Sequence, residues 1–177
     1  MKAANEHLLG AYADLYGFEV VFLRPAIVFG CGQFRGGSPG GIMMHTLVSG
    51  ALRGDPVRLM EAQVGINEYV YVKDMAQALE KACTVAAPGH RAFNVGQGAL
   101  ISARDLIDAV RKLLPQSRVE LVPAAAGEKI IRRPQPLNLA RSRAELGYVP
   151  EYPLPEALAD YVRELEKLAG PEGTSHG

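Results

Sequence analysis

Apolar positions along the chain change period several times, and each change marks an element. Ala4, Leu8, Ala11 and Leu15 recur at helical spacing and Gly17 follows as a stop, so residues 2–16 are predicted helical. Glu19–Leu23 (EVVFL) drops that period and becomes a short apolar run, the pattern of a strand in a parallel sheet covered on both faces. Arg24-Pro25 ends it. Residues 30–41 (GCGQFRGGSPGG) hold six glycines and a proline and read as a flexible loop. A helix is predicted over 42–52, strands over 57–60 and 68–72, and a helix over 75–86 capped by Asp74 and closed by Pro88-Gly89. Phe93–Val95 is a strand, and Ser102 with Asp105 opens a helix to Leu114 in a capping-box arrangement. Val119–Val122 is a strand, residues 139–146 are a short helix stopped by Gly147, and Pro155 begins a last helix to about Leu168. The tail 170–177 is expected to be disordered.

Strands alternating with helices give the α/β class. The sheet is thin, however, and Glu19–Leu23 wants parallel neighbours that few segments can supply. The chain is therefore expected to be incomplete. Composition changes this picture little: 48% of the 177 residues are hydrophobic and 21% charged, ordinary values for a globular chain. Nineteen basic and nineteen acidic residues give zero net charge, so no overall field draws nucleic acid or an anionic membrane. Apolar runs fall short of a bilayer span and no signal peptide is visible after Met1-Lys2-Ala3, which points to a cytoplasmic protein. Cys31 and Cys83 lack a CxxC partner and read as reduced thiols, with one long-range disulfide left open. Histidines 7, 45, 90 and 176 show no metal spacing, so no metal is expected. The glycine-rich loop ends in no GK[ST] and fails GxGxxG, so it reads as a substrate-side loop, not a phosphate cradle.

Five stretches resemble one family in order and spacing: KAANEHL at 2–8, LRPAIVFGCGQ at 23–33, EYVYVKDMAQAL at 68–79, AFNVGQG at 92–98 and LARSRAELGYVPEYPLPEALADYV at 139–162. The family is the extended short-chain dehydrogenase/reductases, or NAD-dependent epimerase/dehydratases. The resemblance implies the C-terminal portion of a Rossmann-like NAD(P)-binding fold with a small α/β substrate-binding domain. Residues 1–30 would be the last helix and strand of a truncated Rossmann-like domain, and 31–169 the substrate-binding portion with return strands to the sheet. Lys2 matches the lysine of the family's YxxxK pair. There an ammonium lowers the pKa of a tyrosine that exchanges a proton with a substrate hydroxyl, and it also bonds the nicotinamide ribose. That tyrosine would fall at position −2, and the glycine-rich GxxGxxG turn is absent. The chain thus looks like a C-terminal half that begins on the catalytic helix, with Met1 an internal methionine. By the same resemblance Lys2, Pro25, Ala26 and Ile27 would face NAD or NADP, and the selector between those two lies in the other half. Gln33, Gly41, Ile42, Tyr71 and Arg133 would face a sugar or nucleotide-sugar substrate. Helix 2–16 would pair with its mate in a homodimer.

Each of these residues also has a plain reading. Lys2 can be a terminal lysine, Arg24-Pro25 a strand end, Tyr71 a strand side chain, and the basic run Lys129, Arg132, Arg133, Arg141, Arg143 a solvated face. Free N–H groups at the helix start Gly40-Gly41-Ile42 favour an anion. Nucleotide-sugar members carry Asn where this chain has Ile27 and Arg where it has Asn67. A smaller polyol, sugar acid or keto compound therefore joins the expected substrates. The rival classes are a non-catalytic sugar-binding or dimerisation module, and a remnant that aggregates through the exposed edge of Glu19–Leu23.

Overall fold

The computed structural model describes residues 2–32, 38–133 and 135–170. In chain order the elements are α1 (Lys2–Tyr16), β1 (Phe22–Pro25), β2 (Ile27–Phe29), α2 (Pro39–Arg53), β3 (Pro56–Met60), α3 (Glu61–Val64), β4 (Ile66–Asn67) and β5 (Tyr69–Tyr71). There follow α4 (Val72–Thr84), β6 (Ala92–Val95), β7 (Ile101–Ser102), α5 (Ala103–Leu113), β8 (Arg118–Val122), α6 (Ala140–Leu146) and α7 (Leu154–Leu168). Beyond Gly170 the expected tail lies outside the described residues.

Helix α1 forms where its period places it, but only Ala13 is buried on it. Leu8 is 57% exposed and Leu15 73%, so the apolar stripe read from the sequence faces no element among the described residues. Polar bonds seat this helix instead. Glu6 accepts from Arg24 Nε at 3.0 and 3.1 Å, and Arg91 donates to Asp14 at 2.6 Å. Strand β1 starts at Phe22, three residues later than expected, because its ladder partner β6 starts only at Ala92. The two run parallel, from Phe22 opposite Ala92 to Pro25 opposite Val95.

At Ala26 the strand path changes partners. Successive N–H groups of an extended chain point to opposite edges. Phe22 and Ala26 donate toward β6, to the Arg91 and Val95 carbonyls, whereas Ile27 donates the other way, to the Glu68 carbonyl at 3.1 Å. Strand β2 then pairs parallel with β5, Ile27 opposite Tyr69. The sequence reading ended the strand at Pro25 and missed β2. Pro25 is harmless there, because its missing N–H would have pointed away from β6, where no described strand lies.

Strands β3 and β8 pair parallel and β4 and β7 antiparallel. Helix α2 begins at Pro39, not at 42, because the Ser38 hydroxyl accepts from the Gly41 N–H at 3.2 Å and proline suits the first turn. The Ser102/Asp105 capping box is present as read. Asp74 is no cap. It sits inside the first turn of α4, whose cap position is Tyr71 without a side-chain bond. Two apolar cores result. One gathers Leu47, Val57, Leu106, Ile107, Val119 and Tyr161 from α2, β3, α5, β8 and α7. The other gathers Ala26, Val70, Phe93, Val95, Leu146 and Tyr148 beneath α4 and α6.

Between these cores lies Glu68, 1% exposed, whose carboxylate accepts from the Gly98 N–H (2.8 Å) and the Leu137 N–H (2.6 Å). Removing the acceptor strands two backbone donors. Glu68→Ala is therefore expected to lower the unfolding free energy by about 1–3 kcal/mol, with Glu68→Gln recovering part of it. Urea denaturation of the three proteins checks this.

Candidate active site

A cavity of about 390 Å3 opens where β2, β3, β5 and the start of α2 converge. Ile27, Gly40, Met43, Thr46, Leu59 and Tyr69 line it, with Arg58, Gln63 and Asn67 among its polar groups. Gly40, Met43 and Thr46 recur every third residue and so share one face of α2. Gly40 allows the helix to approach the strand closely: a Cβ there would lie 2.6 Å from Ile27 Cγ2. Gly65, at φ +67°, has the Ile131 carbonyl oxygen 2.0 Å from the place a Cβ would take, which draws the 131–133 segment beside β4. Arg58 pairs with Glu120 on β8 at 3.3 Å, and the Asn67 amide donates to the Val64 carbonyl at 2.7 Å. The cavity is thus mostly apolar, with little uncommitted positive charge. Burial pushes the Tyr69 phenol up to about 12, so it stays protonated at neutral pH.

The expected site residues separate into groups. Ile27 lines this cavity, directly after Pro25 and the buried Ala26. Gly41 is buried next to Gly40, while Ile42 is 43% exposed. The Arg133 N–H donates to the Ile66 carbonyl at 2.9 Å, so its backbone is pinned next to Asn67. Lys2 is exposed at the start of α1, lines none of the cavities described here, and has no hydrogen bond or ion pair among the described residues. Gln33 lies outside the described residues. Tyr71 is fully buried away from the cavity, and its hydroxyl donates to Asp160 at 2.7 Å. Its neighbour on the same strand face, Tyr69, is the tyrosine that reaches the cavity. A larger hollow of about 510 Å3, between the start of β1, α4 and the 85–91 turn, contains none of the expected residues.

Two carboxylates flank this region. Asp74 accepts from the Glu151 and Tyr152 N–H groups (2.8 and 3.3 Å) and from Gln97 (2.7 Å), and burial raises its pKa against those bonds. Asp160 receives Lys73 Nζ at 2.6 Å and Arg163 at 3.0 Å in addition to Tyr71. Burial works against its charge, but the bonds from Lys73, Tyr71 and Arg163 outweigh burial and hold the carboxyl at about 2. Among the described residues no group of three metal-ligating side chains occurs, and no helix is long and apolar enough to cross a membrane.

The NAD dependent epimerase/dehydratase family model matches residues 1–96, more than half of the 177-residue chain, and the chain belongs to that family. A UDP-glucose 4-epimerase of Mycolicibacterium smegmatis is 30% identical over 162 residues, covering 91% of this chain and 50% of that protein. The UDP-glucose 4-epimerase of Thermus thermophilus, solved in complex with NAD, matches with a TM-score of 0.75 at 26% identity, over 93% of this chain and 52% of that one. An L-threonine dehydrogenase from Cupriavidus necator shares the fold, with a TM-score of 0.76 at 20% identity over 92% of this chain and 53% of that one. The chain therefore has the Rossmann-like epimerase fold and spans about half the length of the relatives it matches.

The cavity residues that sequence reasoning missed, Met43, Thr46, Arg58 and Tyr69, left a partial signal. The three-residue spacing 40-43-46 becomes visible once the helix is started at Ser38-Pro39.

Two outcomes follow from this geometry. Gly40→Val is expected to fill the cavity mouth and displace Ile27, costing about 1–3 kcal/mol of stability by overpacking; thermal or urea melts check it. For Asp160, a folded-state pKa of about 2 lies below the ordinary 3.8, so its stabilisation is complete above about pH 4 and is lost as pH falls toward 2. Asp160→Asn is expected to flatten that part of the stability-against-pH curve, measured by denaturant titration at several acid pH values.

Proposed function

We propose that this chain is the C-terminal, substrate-side part of an NAD(P)-dependent sugar epimerase, dehydratase or dehydrogenase. The substrate would be a nucleotide sugar or a smaller sugar acid or polyol. The observation that carries the reading is the position of Ile27, which belongs to the segment expected beside the nicotinamide and also forms a wall of the 390 Å3 cavity. Cofactor and substrate would then meet at one residue.

The residues present fit one end of the cofactor. Pro25 has no N–H, and those of Ala26 and Ile27 are spent on Val95 and Glu68, so this segment offers an apolar wall instead of donors. Lys2 offers an ammonium without a competing partner among the described residues, suited to a ribose hydroxyl and to tuning a nearby phenol. The sequence contains no GxxGxxG turn to hold a pyrophosphate. When bound, NAD(P) supplies the hydride acceptor; this chain's residues position its nicotinamide end and enclose the sugar. The exposed side chains Leu8, Leu9, Tyr12, Leu15 and Tyr16 support a homodimer through α1. A second reading, a non-catalytic sugar-binding or dimerisation module, is favoured by the cavity's being lined wholly by this chain.

Calorimetric titration with UDP-glucose and with NAD, first on this chain and then with a separately expressed dinucleotide-binding half of a relative, tests both. We expect no hydride transfer by the chain alone. Activity should appear with the added half and fall at least 100-fold in Lys2→Met. Turnover by the pure chain would contradict the need for a second half. Ligand binding indifferent to Gly40→Val would remove the cavity from the site. Activity that survives Lys2→Met would end the assigned role of that lysine.

A further inference from the structure

Apart from the expected site, a cavity of about 320 Å3 lies where β1 and β6 meet the segment leading into α6. Its lining is Arg24, Ala92, Asn94, Asn138, Ala140 and Arg141: two guanidiniums, two amides and two methyls, with no carboxylate. Arg24 and Asn94 are register partners on neighbouring parallel strands, so their side chains leave the same sheet face together. Ala92, two residues before Asn94, shares that face and leaves it open. The volume corresponds to roughly ten waters at ~30 Å3 each, which is ample for a compact ion with part of its hydration.

The donors in this hollow exceed the acceptors. Glu6 engages Arg24 through Nε and Nη2 and leaves Nη1 over. Arg141 makes a single weak bond, 3.4 Å, to the Ala92 carbonyl. Asn94 donates to the Asn138 carbonyl at 3.0 Å, while Asn138 Oδ1 accepts from the Ala140 N–H at 2.9 Å, which leaves the Asn138 amide N–H groups over. The nearby Glu145 feels the charge of Arg141, but its two oxygens are taken by the His90 N–H and ring. Two cations and a carboxamide thus face one hollow with donors unmet among the described residues. Guanidiniums meet that demand best with a planar or tetrahedral oxyanion, bound bidentately.

We propose that this cavity binds a small free oxyanion of the phosphate or carboxylate type. The site is independent of the cofactor and of the sugar cavity, since it shares no lining residue with the latter.

Isothermal titration of the 177-residue chain with inorganic phosphate, and separately with malonate, at fixed ionic strength against a chloride blank, tests the proposal. We expect saturable one-to-one binding of at least one of them. Binding should weaken at least tenfold in Arg141→Gln and in Asn138→Asp, which places a carboxylate in the hollow. Arg143→Gln, on the same helix but outside the lining, should leave it unchanged. Arg141 and Asn138 are exposed, and melting curves confirm that the variants fold. Binding of phosphate alone assigns a phosphoryl ligand, and of malonate alone a carboxylate. Heats no different from chloride, binding that survives both Arg141→Gln and Asn138→Asp, or equal loss in Arg143→Gln would each overturn the site.

Discussion

A single buried carboxylate without a cationic partner organises this chain. Glu68 uses its carbonyl to receive the Ile27 N–H, and its side chain to receive those of Gly98 and Leu137. Three segments distant in sequence thereby meet at one residue. A charge in such a place is tolerated only when dipoles replace the water it has lost, and backbone N–H groups do so without bringing a second ion inside. Gly96 lets the carboxylate come this close, since a Cβ at that position would lie 2.2 Å from Glu68 Oε1. The meeting of β2 with β5, and hence the wall of the larger site cavity, depends on this arrangement.

The same economy recurs toward the C-terminus. Asp74 ties α4 to the approach of α7 through the N–H groups of Glu151 and Tyr152. Asp160 ties α7 back to β5 through Tyr71, with Lys73 and Arg163 at its more open side. Acidic groups hold the inside together, and the basic groups that neutralise some of them stay near water, where their long side chains cost less to solvate. In α1 the relation is reversed. Polar pairs to Arg24 and Arg91 seat the helix while its leucines and tyrosines remain outside.

Periodicity and cap chemistry made much of the fold legible. The α1 span, the Ser102/Asp105 cap, the stop at Gly147 and the strand at 119–122 needed no tertiary information, because each depends on local geometry alone. Elements defined by a distant partner were not legible. Strand β2 hid behind Pro25, whose compatibility depends on which edge its nitrogen faces, and β1 lost its first residues because β6 begins late. Asp74 has the sequence context of a cap, and only the return of residues 151–152 shows otherwise. Lys2 drew attention through a motif, since its burial and bonding single it out for nothing. Among cavity residues, Ile27 was reachable by resemblance, whereas Arg58 and Tyr69 needed the strands to be placed side by side.

The exchange of partners at Ala26 carries a further consequence. One unbroken run of extended backbone serves β6 with its even-numbered amides and β5 with its odd-numbered ones. Adding or deleting one residue between Pro25 and Ile27 would invert that parity, leaving one neighbour facing a row of side-chain-bearing carbons with no donor in register. Evolution can lengthen the turns around this run, but the count of residues within it is locked by arithmetic.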